Sequence, residues 1–166
     1  MASEIKVDTI VNAGGDNDTG IDLATNDQIL LKVANATKLT MNSTGQTTIV
    51  GEGGTTTTNL QQGLAKCWFV FDATGTPSID DSFNASSLDD DGTGRYGLHY
   101  TSNFATANHT LGGDSTKGDA NSTMRSLNFH TTTTSTVDMD NWNISTGSAG
   151  QDDAFANKGV VCGDLA

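Results

Sequence analysis

Turn-forming residues recur every six to eight positions through much of the first fifty residues, and this spacing confines the chain to short strands. Asn26-Asp27, Asn35-Ala36 and Asn42-Ser43-Thr44-Gly45 separate three short segments. These are residues 28–34, Lys38-Leu39-Thr40-Met41 and Gln46-Thr47-Thr48-Ile49-Val50. Ahead of them, Ile5, Val7 and then Ile10 or Val11 suggest one more strand, and residues 12–20 form a turn-rich break. Apart from a single helical turn expected near residues 60–65, no segment has helical periodicity, so the expected class is all-β.

Strands this short cannot make a stable sheet alone. The composition sharpens the problem, because only 34% of residues are hydrophobic and 17% charged, against roughly 45–50% and 25% in ordinary globules. Thr, Asn, Ser and Gly take up the difference, with a single proline. Thr favours strands while Asn and Gly favour turns, so the mixture reads as folded β-structure. A chain so poor in apolar residues needs oligomer contacts to complete its core. Three copies wrapped around a common axis would bury Ile29, Leu31, Leu39, Met41 and Ile49 against one another, which is the expected trimer interface.

Residues 51–63 are rich in Gly and Thr and poor in apolar side chains, and read as a linker. The expected division is therefore an extended β arm over 1–50, the linker over 51–63, and a β-sandwich over 64–166. In the last part Cys67, Phe69 and Phe71 alternate with Trp68 and Val70, so both faces of that strand carry apolar residues. It should be central and buried on both sides, with Trp68, Phe69 and Phe71 in the core. Further strands are expected at 82–88, 96–100, 108–111, 124–130, 136–139, 142–145 and 158–162, with a mobile loop over 146–157. Such a succession of short strands suits a sandwich.

A net charge of −12, from 20 acidic and 8 basic residues, repels phosphate backbones and anionic membranes, so neither nucleic-acid binding nor membrane insertion is expected. The opening Met1-Ala2-Ser3-Glu4-Ile5-Lys6 lacks the apolar run of a signal peptide, and no stretch approaches transmembrane length. Synthesis in a cytoplasm without export by that route is the expectation. Cys67 and Cys162 stand alone, without metal-ligand spacing, and leave two readings open: a disulfide closing the domain, or two separate thiols.

No catalytic motif is present, and neither a cofactor nor a metal site is expected. His99, His109 and His130 have no metal-pair spacing. Asp16-x-Asp18-x-Gly20 begins like a calcium loop but lacks the closing Glu. Asp89-Asp90-Asp91-Gly92-Thr93-Gly94 reads as a turn. Tyr96 and Tyr100 read as core residues. Trp142, with Asn141 and Asn143 beside it and with Phe155, is the candidate receptor-binding group, because aromatic faces stack on sugar rings and amides bond to hydroxyls.

Two stretches carry a family resemblance. The first is Ala65-Lys66-Cys67-Trp68-Phe69-Val70-Phe71-Asp72-Ala73-Thr74-Gly75-Thr76-Pro77, followed by Ser82-Phe83-Asn84-Ala85-Ser86-Ser87-Leu88 and Asp91-Gly92-Thr93-Gly94-Arg95-Tyr96. It resembles a β-sandwich domain recurrent in tail-fibre and other appendage proteins of tailed bacteriophages. The second is residues 36–49, which are similar to a fibre repeat in which an Asn/Asp-Ser-x-Gly turn joins two short strands. The opening Glu4-Ile5-Lys6-Val7-Asp8-Thr9-Ile10 resembles the first residues of many such fibres, of the marine-phage type. The resemblance implies a trimerising arm, a jelly-roll-like sandwich, a place in the virion beside other tail or capsid proteins, and adhesion to a host-surface glycan or protein. A capsid decoration protein or head fibre is the alternative it leaves, and a polysaccharide-degrading tailspike a more distant one.

Overall fold

The computed structural model describes residues 7–11, 19–24, 27–51, 54–116, 125–144 and 149–166. Ile5, Asp16, Asp18 and Met124 lie outside the described residues. Among the described residues there are fifteen strands and no helix, so the chain is all-β and every strand pair is antiparallel. It divides into two compact units, Met1–Gly63 and Leu64–Ala166.

The first unit is one meandering sheet of β1 (Thr9–Val11), β2 (Gly20–Asp22), β3 (Ile29–Val33), β4 (Ala36–Met41), β5 (Thr47–Val50) and β6 (Thr57–Asn59), in that order. Its turns follow from local chemistry. Asn42 accepts from the amides of Thr44 (3.2 Å) and Gln46 (2.9 Å) through its side chain, and Gly45 takes φ +80°. Between β3 and β4 the chain reverses at Ala34 and Asn35, both at positive φ (51° and 57°), as a two-residue hairpin requires. The segment 51–63, expected as a linker, carries β6, which pairs with β5 from Thr57 to Asn59. Gln61 fixes this strand by accepting from Thr47 N (2.9 Å) and donating to Gly45 O (2.7 Å).

The second unit has two sheets. One runs β12 (Arg125–Thr132), β13 (Thr136–Asn143), β10 (Arg95–Tyr100), β9 (Ala85–Gly92), with β14 (Gly150–Gln151) added to β13. The other runs β11 (Thr110–Thr116), β15 (Ala156–Cys162), β7 (Ala65–Asp72), β8 (Ser78–Phe83). Cys67, Phe69, Phe71 and Val161 from the second sheet and Tyr96, Leu98, Tyr100, Leu127, Val137 and Met139 from the first belong to one buried cluster, so the sheets pack face to face. Phe71 meets Tyr96 edge-on across them at 5.2 Å between ring centres. Phe69 fits because its partner on β15 is Gly159, where a Cβ would lie 2.2 Å from the ring.

Four sequence expectations are corrected here. Only one face of β7 is buried: Trp68 points away from the core and is partly exposed. The two candidate strands at 136–139 and 142–145 are a single strand, β13. The acidic stretch 89–92 continues β9, and the turn is confined to Thr93 and Gly94. The expected strand over 82–88 is broken at Asn84, where the chain crosses from the β8 sheet to the β9 sheet. Asn84 holds φ +60°. Its side chain donates to Lys66 O and Ser102 O (3.0 Å each) and accepts from Ser102 N (2.6 Å). The crossing is thus tied by one side chain that both tolerates the left-handed region and spans two neighbouring segments.

Asn84→Ala should therefore destabilise the 64–166 unit by about 2–3 kcal/mol, through lost hydrogen bonds and a strained φ. Asn84→Gly, which keeps the conformation but not the bonds, should cost roughly 1–2 kcal/mol. Chemical denaturation followed by tyrosine and tryptophan fluorescence measures both. Equal stability of all three proteins would show that this corner is held by something else.

Candidate functional site

At one end of the two-sheet unit the interior is polar. Asn141 on β13 and Asn157 on β15 are fully buried, with Ser115 on β11 beside them. Ser115 Oγ and Asn141 Nδ2 both donate to Asn157 Oδ1 (2.9 and 3.0 Å), and Asn157 Nδ2 donates to Ala154 O (3.0 Å). Asp153 accepts from Gly94 N (2.7 Å) and from the Tyr96 hydroxyl (2.5 Å). Burial, and then the Asp153 carboxylate, push the Tyr96 phenol well up, so it remains a donor. Gly94 is required at φ +68°, because a Cβ there would stand 2.7 Å from Asn141 O and Asp152 N. The buried Arg125 guanidinium pairs with Asp152, though none of its nitrogens makes an aligned hydrogen bond. Residues 152–157, expected within a mobile loop, include buried Ala154 and Asn157 and form the centre of this clamp.

The clamp decides the fate of the expected receptor residues. Successive strand residues face opposite sides. Asn141 points into the interior and has no face toward solvent, a correction to its expected role. Trp142 points outward, opposite Ser126 and Gln151, and is exposed. Asn143 follows on the side of Asn141, paired with Arg125. Phe155 is exposed in the turn before β15. Trp142 and its two neighbouring asparagines therefore do not share one surface.

The outer face of the β11-β15-β7-β8 sheet brings together residues that sequence reasoning did not group. Val160, Trp68 and Phe83 are consecutive partners across β15, β7 and β8, and all three are exposed. Gly112 on β11 pairs with Val160 and ends the row without a side chain. The next outward row is Asp114, Lys158, Val70 and Asp81. One signal was available in the sequence: Phe83 stands within the polar run Asp80-Asp81-Ser82-Phe83-Asn84.

In the first unit, register places Ile10, Ile21, Leu31, Leu39 and Ile49 in one row across five strands. Ile29 and Met41 pair in a second row on the same face. The opposite face carries Thr9, Asp22, Leu30, Thr40, Thr48 and Asn59 in register. All five expected interface residues thus share one side of the sheet, and Ile29, Leu31 and Met41 are exposed on it. On the polar face Lys32 pairs with Asp22, which also accepts from Ala24 N (2.9 Å). Lys32 first, and then this amide, hold the Asp22 carboxyl below its ordinary value of 3.8.

The histidines are separate. His99 Nε2 lies 2.6 Å from Asp89 Oδ2, His109 stacks on Phe104 and reaches the Tyr100 hydroxyl (3.1 Å), and His130 Nε2 lies 3.4 Å from Asp140 Oδ1. Among the described residues no three His, Cys, Asp or Glu side chains gather closely enough to hold a metal ion. No helix among them is long and apolar enough to cross a membrane. Cys67 and Cys162 are free thiols. They lie on paired strands but face opposite ways, since Val161 is the partner of Cys67.

Two measurements follow from these side chains. Burial pushes the Cys67 thiol up to about 12. A thiol reagent should therefore label Cys162 in the folded protein and Cys67 only after denaturation, and both should react without reductant. Asp22 is the second case. Its carboxyl is lowered by folding, so its contribution is complete above the unfolded pKa of about 4 and disappears as pH falls through the lower folded value. Acid unfolding of the 1–63 unit should show this dependence in the wild type and lose it in Asp22→Asn, as read by hydrogen exchange of the β2 and β3 amides.

No protein-family model, curated protein or solved structure matches the chain.

Proposed function

We propose that this chain is a structural protein of a tailed-phage particle, of the tail-fibre or appendage type, which adheres to the host surface as a multivalent homotrimer. The observation that carries the reading is the uncovered apolar face of the six-stranded sheet. Five strands contribute aliphatic residues to one side in register, and among the described residues of this unit the sheet has no second layer. A sheet that leaves such a face in water is an assembly surface. In this reading residues 1–50 form the trimerising, virion-attached arm, 51–63 lead out of it, and 64–166 project outward. The outer unit is jelly-roll-like in the broad sense that two antiparallel sheets enclose one core. Adhesion then comes from copy number, with weak single contacts adding through linkage. The reading assigns no catalytic residue, no cofactor and no metal.

The excess of acidic residues supports an exposed particle component. Asp80 and Asp81 lie on β8, and Asp89, Asp90 and Asp91 on β9, each strand at the edge of its sheet. Charges there oppose edge-to-edge pairing among crowded copies.

Light scattering on the purified protein should give three times the 17.2 kDa chain mass. Leu31→Asp combined with Leu39→Asp should reduce it to the single-chain mass and leave the 64–166 unit folded, as judged by its tyrosine signals. Antibody labelling of intact particles should place the protein on the tail. A wild-type monomer at micromolar concentration would overturn the trimer, and label confined to the capsid would replace the tail assignment with decoration of the shell.

A further inference from the structure

We infer that the row Val160–Trp68–Phe83 on the outer face of the β11-β15-β7-β8 sheet is a binding platform for neutral pyranose rings of a polysaccharide. The inference rests on the adhesion reading above and gives it a site and a ligand class. The three residues are register partners on adjacent strands, so the row spans about 10 Å across the sheet. Trp68 is 37% exposed, Phe83 51% and Val160 40%. None is needed to close the core, because the inward neighbours Cys67, Phe69 and Val161 do that. Gly112 leaves the β11 end of the row open.

Size selects the occupant. Covering the exposed parts of these three side chains removes roughly 200–300 Å² from water, whereas a stable protein interface needs about 800 Å² from each partner. The platform is too small for a second copy or a folded protein, and it suits one or two rings. Chemistry narrows the choice further. Aromatic faces accept the C–H-rich face of a sugar, and the adjoining row of Asp114, Lys158 and Asp81 supplies acceptors and a donor for its hydroxyls. Two carboxylates beside the platform and a net charge of −12 disfavour uronic-acid polymers, phosphates and nucleic acids. A neutral hexose polymer is what remains.

Native gel electrophoresis of the full-length protein through dextran, mannan, galactan and alginate tests this directly. At least one neutral polymer should retard the wild type, and alginate should not. Trp68→Ala and Phe83→Ala should each weaken retardation at least about tenfold. Trp68→Phe, which keeps an aromatic face, should retain most of it, and Trp142→Ala should behave as wild type. All variants should keep the wild-type assembly mass and melting temperature, since the altered side chains lie outside the core. Retardation by alginate alone, by no polymer, or equally for wild type, Trp68→Ala and Phe83→Ala would overturn the platform. So would a change of assembly mass in Trp68→Ala, which would make the row a protein contact. Loss of binding in Trp142→Ala alone would overturn the platform but keep glycan adhesion. The appendage reading is judged separately, by the antibody label on the particle.

Discussion

The buried hydrogen-bond clamp around residues 152–157 is the constraint on which the two-sheet unit depends. Hydrocarbon closes most of the interior, but at this end Asn157 takes two donors on its Oδ1 and donates to Ala154 O. Asp153 meanwhile gathers the Gly94 amide and the Tyr96 hydroxyl. These contacts join β10, β11, β13 and β15, so both sheets are fixed at one locus. Asn157 and Asp153 are the acceptors on which the other members converge, while Asn141 Oδ1 and the Arg125 nitrogens stay without an aligned hydrogen bond. Removing one would leave its partners buried and unpaired, which costs more than the bond itself contributes. Asn157 Nδ2 also donates to Phe71 O (3.5 Å), which ties the locus to β7.

The two units answer the shortage of apolar residues differently. The 64–166 unit concentrates its aromatics inward, where Phe69, Phe71, Tyr96, Tyr100 and Phe104 share one cluster. It then completes the interior with amides and carboxylates. The 1–63 unit has no aromatic residue and only scattered aliphatic ones. Among the described residues its sheet collects aliphatic side chains on one face and contributes none to the buried cluster. Hydrophobic burial is worth about 25 cal/mol per Å² of apolar surface, so a face of this kind gains stability only when another surface covers it. In the proposed assembly, that covering surface is supplied by further copies of the chain.

Several of the acidic residues stand at sheet edges, where they repel added strands. The Asp80/Asp81 and Asp89–Asp91 groups line edge strands, and Asp22 is neutralised by Lys32 within the first sheet. Carboxylates at unpaired edges block added strands. On the outer face of the β11-β15-β7-β8 sheet the Val160–Trp68–Phe83 row is apolar and exposed.

By itself the sequence determined the class, most turns and the strand periodicity. Asn42 to Gln46 encode a turn through local hydrogen bonds, and Cys67 to Phe71 encode a strand through alternation, because both signals are carried by residues within reach of one another. The common face of Ile29, Leu31, Leu39, Met41 and Ile49 was legible for the same reason, since short hairpins leave little freedom in register. Tertiary structure alone decided which side of β7 became the core, because both sides are apolar and only the opposing sheet distinguishes Trp68 from Phe69. It also decided that Asn141 is interior, that Asn84 ends one sheet and begins the other, and that residues 152–157 are a clamp. Each of these depends on partners 16 to 59 positions away in sequence, and no local pattern of charge or hydrophobicity records a contact made at that separation.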